Sequence, residues 1–109
     1  MPQTIKTITV EQLKTLIDTK ADFQLIDVRE QDEKKFADIG GELIPMGVAI
    51  LQANRISKDK QVVVYCRSGN RSGRIIAELQ QRHGFSNLYN LSGGILAWSD
   101  KIDPSIKKY

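Results

Sequence analysis

One cysteine stands in this 109-residue chain, Cys66, and its neighbours are those of a reactive thiolate. The local sequence is Val62-Val63-Val64-Tyr65-Cys66-Arg67-Ser68-Gly69-Asn70-Arg71-Ser72-Gly73. A β-branched run ends at the cysteine, a polar loop with a glycine follows, and helical periodicity then begins. That order aims backbone N–H groups and a helix N-terminus at one sulfur. Such surroundings lower a thiol pKa and hold an anion. The amides from Arg67 to Ser72 would form a nest around Sγ. Gly69 lets the loop take a positive φ, and Asn70 tolerates one. Arg67 and Arg71 offer forked donors suited to oxyanions. Each residue also has a plainer reading. Cys66 could be a small core residue, Arg67 a solvated loop charge, and Arg71 the partner of a carboxylate that braces the loop.

The elements that must position this loop follow from periodicity. Thr7 to Val10 reads as a short edge strand or lead-in. Thr9-Val10-Glu11-Gln12 reads as a capping box, and Val10, Leu13, Leu16 and Ile17 give the following helix one apolar face. Phe23 to Val28 predicts a buried strand, and Glu30 to Phe36 a short surface helix. Gly40-Gly41 and Pro45 break the chain. Val48 to Ile56 predicts another short helix with Ile50, Leu51 and Ile56 inward. Gln61 to Tyr65 is the most strand-like segment. Ser72 to His83 is amphipathic through Ile75, Ile76 and Leu79, with Gly84 placed to end it. Leu88 to Leu91 predicts a strand, and Gly93-Gly94 opens a last helix carrying Ile95, Leu96 and Trp98. Strands alternate with helices, which predicts an α/β fold: a small parallel sheet flanked by helices on both faces. Ligands in such folds sit at the carboxyl ends of strands, where Cys66 falls.

Composition narrows the field. The length suits a single domain over residues 1–109. No apolar stretch reaches the ~20 residues of a membrane span. Met1 to Val10 lacks a leader's basic-then-apolar pattern, so a cytoplasmic location is the expectation. A net charge of +3 without a dense Lys/Arg run argues against nucleic acid and suits small anions or an acidic partner. His83 precedes a helix end with no ligand cluster beside it, so no metal and no cofactor are expected. Asp27 and Arg29 read as a buried pair or loop anchors rather than as catalytic acid and base. Trp98 reads as core, and Lys107 and Lys108 as a solvated tail.

Three segments resemble the signatures of the rhodanese (thiosulfate sulfurtransferase) family: Asp27-Val28-Arg29-Glu30, the loop Val64 to Ser72, and Leu91-Ser92-Gly93-Gly94-Ile95-Leu96-Ala97-Trp98. They occur in the family's order and span nearly the whole chain. The resemblance implies a rhodanese fold, a persulfide on Cys66, and transfer of sulfur from a sulfane donor to a nucleophile. It places Cys66 as the catalytic residue and Arg67, Ser68, Gly69, Asn70, Arg71 and Ser72 around the substrate. Ala37 to Pro45 departs from the pattern of many relatives, which carry a histidine there. In that stretch the chain is more similar to rhodanese modules attached to enzymes that adenylate sulfur-carrier proteins.

The chemistry fits the loop. Thiolate–sulfur exchange passes through a covalent sulfur–sulfur intermediate. Thiosulfate is a dianion, and Arg67 favours an anionic inorganic donor over mercaptopyruvate. Cysteine phosphatases and a related arsenate reductase type resemble Cys-x5-Arg. Here Ser72 holds that register and the arginine falls one residue earlier. With no second cysteine, a persulfide must be resolved from outside, by a small thiol, cyanide or a protein acceptor. A different class remains open: a persulfide carrier or binding module that a cysteine desulfurase or a sulfur-carrier system serves, with little turnover of small donors.

Overall fold

The computed structural model describes residues 4–109. The first three residues, part of the Met1–Val10 segment compared with a leader, lie outside that range. Five strands form one parallel sheet: β1 (Lys6–Ile8), β2 (Phe23–Asp27), β3 (Glu42–Leu43), β4 (Gln61–Tyr65) and β5 (Leu88–Leu91), in the spatial order β1-β5-β4-β2-β3. Between and after them come α1 (Val10–Asp18), α2 (Gln31–Phe36), α3 (Met46–Ala49), α4 (Asn70–His83) and α5 (Gly94–Lys101). The α/β architecture expected from the alternation is the one observed.

Side-chain alternation along β4 explains the layers. Val62, Val64 and Cys66 point into one core with Ile75, Ile76 and Leu79 of α4 and Ala49 of α3. Val63 and Tyr65 point into a second core with Val10 and Leu13 of α1 and Ile95 and Trp98 of α5. A strand buried on both faces must be apolar throughout, which is why the Val62–Tyr65 run is unbroken. From β2 the chain moves outward to β3, and from β4 it moves the other way to β5. The carboxyl ends of β2 and β4 therefore flank a topological switch point, the usual crevice of such sheets.

Several local expectations hold. Thr9 and Gln12 make the reciprocal capping box, with Gln12 N donating to Thr9 Oγ1 at 3.1 Å and Thr9 N to Gln12 Oε1 at 2.9 Å. Gly84 ends α4 in the left-handed conformation.

Others need correction. Val10 starts α1 rather than ending β1, because the Thr9 cap already turns the chain. Ile17 is exposed at the border of the α1 face. The break at residues 40–45 hides a two-residue strand, β3, held by pairing to Ile26 and Asp27. Residues 48–56 are not one helix: α3 ends at Ala49, and a separate 3₁₀ turn covers Ala53–Arg55. Leu51 consequently points outward at 86% exposure, while Ile56 is buried. The helix after the cysteine loop starts at Asn70, two residues before the expected Ser72, so Asn70 needs no positive φ. Lys107 and Lys108 are exposed as expected, but the segment that carries them is not free. Ile106 and Tyr109 pack on the second core, and Lys108 pairs with Asp100.

Candidate active site

Cys66 lies one residue beyond β4, at the switch point, with its side chain beneath the first turn of α4. The first turn of a helix has free N–H groups. Ser72 N donates to Sγ at 3.4 Å and Gly69 N at 3.1 Å, and the Ser72 Oγ lies 3.3 Å from the sulfur. Gly69 has φ +106°, and that left-handed turn is what points its N–H inward. Burial raises the thiol pKa, but the polar contacts from Ser72, Gly69 and Ser68 outweigh it, and the pKa lies below the ordinary thiol value. These contacts all come from the loop and the first turn of α4, Ser72 foremost, where the sequence had also suggested the two arginines.

The base of the loop is clamped by a second helix N-terminus. Ile95 N of α5 donates to Cys66 O at 3.0 Å, and Leu96 N donates to Arg67 O at 3.2 Å. This contact requires glycine at position 94. Its φ is +60°, and a Cβ there would meet Arg67 O at 2.5 Å and Cys66 O at 2.6 Å. The Gly93-Gly94 pair is therefore part of the cysteine site, although it lies far along the chain.

Both arginines are engaged. Arg71 forms a two-pronged pair with Glu33 of α2, Nη1 to Oε2 at 2.8 Å and Nη2 to Oε1 at 2.7 Å. Of the two readings of Arg71, the brace is the one present. Hydrogen bonds from Arg71 hold the Glu33 carboxyl well below the usual range, at about 2. The same bonds hold Arg71 more firmly charged than usual, and Cys66 adds to that. Arg67 is exposed, donates from Nε to the Tyr109 backbone O, and stacks on the Tyr109 ring at 5.3 Å. Ser68 on the loop and Asn70 at the start of α4 are exposed, and Ser72 is buried.

Asp27 and Arg29 form the buried anchor expected of them, both with fully buried side chains. Asp27 Oδ1 accepts from Arg29 N and Nε at 3.0 and 2.9 Å, and Oδ2 accepts from Nη2 at 2.8 Å. Arg29 also reaches Ala37 O at 2.7 Å and Tyr109 Oη at 3.0 Å. Burial opposes the Arg29 charge, but Asp27 and Tyr109 outweigh it, so the guanidinium is held charged. The loop after β2 is thereby fixed beside the cysteine loop.

Three participants were missed in the sequence. Glu33 and Tyr109 are far from Cys66 in the chain and carry no local signal. Asn90 did carry one. It is a polar residue on the strand face that Leu88 turns into the core, and it bonds to Ser72 and Gly69. Among the described residues no His, Cys, Asp or Glu cluster of metal-binding form occurs, and no helix is long and apolar enough to cross a membrane.

The comparisons agree with this geometry. The model of the rhodanese-like domain matches residues 9–101. A sulfurtransferase of Allochromatium vinosum is 36% identical over 96 residues, covering 87% of this chain and 89% of that protein. The probable adenylyltransferase/sulfurtransferase MoeZ of Mycobacterium tuberculosis is 33% identical over 94% of this chain, but this chain spans 27% of it. Against three relatives the chain covers only 27–38% of their length. A rhodanese-related protein from Thermoplasma volcanium superposes with a TM-score of 0.78 at 28% identity, covering 89% of this chain and 93% of that one. The chain belongs to the rhodanese-like domain family.

Proposed function

We propose that this domain is a sulfurtransferase that carries sulfur as a persulfide on Cys66. The observation that supports it best is the amide nest: Sγ lies 3.1 Å from Gly69 N and 3.4 Å from Ser72 N, at the mouth of a helix. The thiolate attacks the outer sulfur of thiosulfate. A new sulfur–sulfur bond forms, the donor's own sulfur–sulfur bond breaks, and sulfite leaves with the electron pair. An external nucleophile then attacks the outer sulfur, and Sγ recovers its electron pair as thiolate. The chain has one cysteine, so this nucleophile is a small thiol, cyanide or a protein acceptor.

The loop residues take different parts in this reading. The amides of Ser68, Gly69 and Ser72 hold negative charge on sulfur. Arg67 receives the anionic donor after giving up Tyr109, and Arg71 keeps the loop seated through Glu33. A phosphatase reading has little support, because Arg71 is held by Glu33 instead of closing over Sγ.

A second reading, a carrier module fed by a cysteine desulfurase, draws on the burial of Cys66 at 1% exposure, which disfavours small donors diffusing in. Thiocyanate release from thiosulfate and cyanide separates the two. Turnover in the wild type that is lost in Cys66→Ser supports the enzyme. Its absence, with sulfur accepted from a desulfurase, supports the carrier. Turnover that survives in Cys66→Ser overturns both.

A further inference from the structure

Asn90 occupies a core-facing position of β5, and its register partner is Val64, two residues before Cys66. Its amide makes two hydrogen bonds. Nδ2 donates to Gly69 O at 3.0 Å, and Oδ1 lies 2.5 Å from Ser72 Oγ. The first bond fixes the amide's orientation. Reversing it would set the amide oxygen against the Gly69 carbonyl, two acceptors with no proton between them. Oδ1 is thus an acceptor, and the 2.5 Å contact uses the hydroxyl proton of Ser72. A serine has only one such proton. The same oxygen is 3.3 Å from Sγ, so it cannot also donate there.

We propose that Asn90 is a positioning residue that commits the single hydroxyl proton of Ser72 away from Cys66, so that Ser72 turns a lone pair toward Sγ. The Ser72 oxygen then accepts a hydrogen bond from the thiol S–H, while the backbone amides of Gly69 and Ser72 face the sulfur's lone pairs. The arrangement favours the protonated thiol over what an inward-pointing hydroxyl would give. That has a use, because intrinsic nucleophilicity falls as thiol acidity rises, and the fastest attack comes from a thiol whose pKa is near ambient pH. The loop's amides and the Asn90–Ser72 pair therefore pull in opposite directions and set a balance.

The other charged or titratable groups around the sulfur do not involve Asn90. They are Arg71 on α4 with Glu33 on α2, Asp27 and Arg29 beyond β2, Tyr65 on β4, and Arg67 with Tyr109 at the rim. α3, which packs on the same core, contributes none.

The inference rests on Cys66 as the reacting thiol, and it is tested without sulfur transfer. The pH profile of iodoacetamide alkylation is recorded for the wild type, Asn90→Leu, Asn90→Ala, Ser72→Ala and the Ser72→Ala/Asn90→Leu double variant. Freeing the hydroxyl in Asn90→Leu moves the profile's midpoint to lower pH. The thiolate population at acidic pH then rises by about tenfold or more, the order of one charge-assisted hydrogen bond. Ser72→Ala does not raise the midpoint, and in that background the change at 90 leaves it within about twofold. Asn90→Ala repeats the test with a smaller side chain. A midpoint raised by Ser72→Ala, or not lowered by either change at 90, overturns the proposal. Persulfide formation in the same proteins would leave the sulfurtransferase reading standing in that case.

Discussion

Gly94 offers a sharp test of how the α5 N-terminus holds the cysteine loop, because Gly84 supplies a matched control. Both are left-handed, at φ +60° and +69°. A Cβ on Gly84 meets nothing within 4 Å, whereas on Gly94 it meets the backbone of Arg67 and Cys66 at 2.5–2.6 Å. Gly84→Ala therefore carries only the left-handed penalty, about 1–2 kcal/mol. Gly94→Ala adds overpacking of about 1–3 kcal/mol, for a total of roughly 2–5 kcal/mol. The obstructing atoms are main chain and cannot rotate away. Relief needs a shift of about 0.9 Å to reach ordinary contact at 3.4 Å. That shift moves Cys66 and stretches the bonds from Ile95 N and Leu96 N. A displacement of ~1 Å in a reacting group costs on the order of a hundredfold in rate. Urea unfolding of the wild type and both variants measures the difference in stability, and thiosulfate-dependent turnover measures the second effect. Equal losses of stability in the two variants, or full turnover in Gly94→Ala, would refute the reasoning.

Asp27→Ala strands a fully buried guanidinium and should cost about 3–5 kcal/mol. At roughly 4 °C or more per kcal/mol for a domain of this size, a thermal melt should fall by more than about 10 °C; an unchanged melt contradicts the anchor. Glu33 has its pKa lowered from 4.5 to about 2, so its contribution is fully present above pH 4.5 and is lost as pH falls toward 2. Glu33→Gln should flatten the urea midpoint across that window, and parallel curves for the two proteins would argue against the brace. Arg67→Ala should raise KM for thiosulfate by about tenfold, the order of one charged hydrogen bond, while changing kcat less; an unaltered KM removes Arg67 from the donor's path.

Legibility followed the range of the interactions. The capping box at Thr9, the strand at 61–65 and the Gly84 stop are each decided within a few residues, and the sequence shows them. So is the cysteine loop, whose nest needs only Gly69 and the start of α4. β3 was hidden because two residues carry no period, and pairing with β2 makes it a strand. The segment 48–56 misled because its apolar residues have helical spacing, yet the chain turns twice there and leaves Leu51 outside. Arg71 had two plausible partners in the sequence, and only the fold brings Glu33 within 2.7 Å across 38 positions. Asn90 could have been found by strand parity, as a polar residue on the face of Leu88.

The central claim is that Cys66 carries sulfur, and intact-mass measurement tests it most directly. After incubation with thiosulfate, or with a cysteine desulfurase and cysteine, the wild type should gain one sulfur atom that cyanide removes. Cys66→Ala should gain none. No gain from either source, or a gain that persists in Cys66→Ala, would contradict the account.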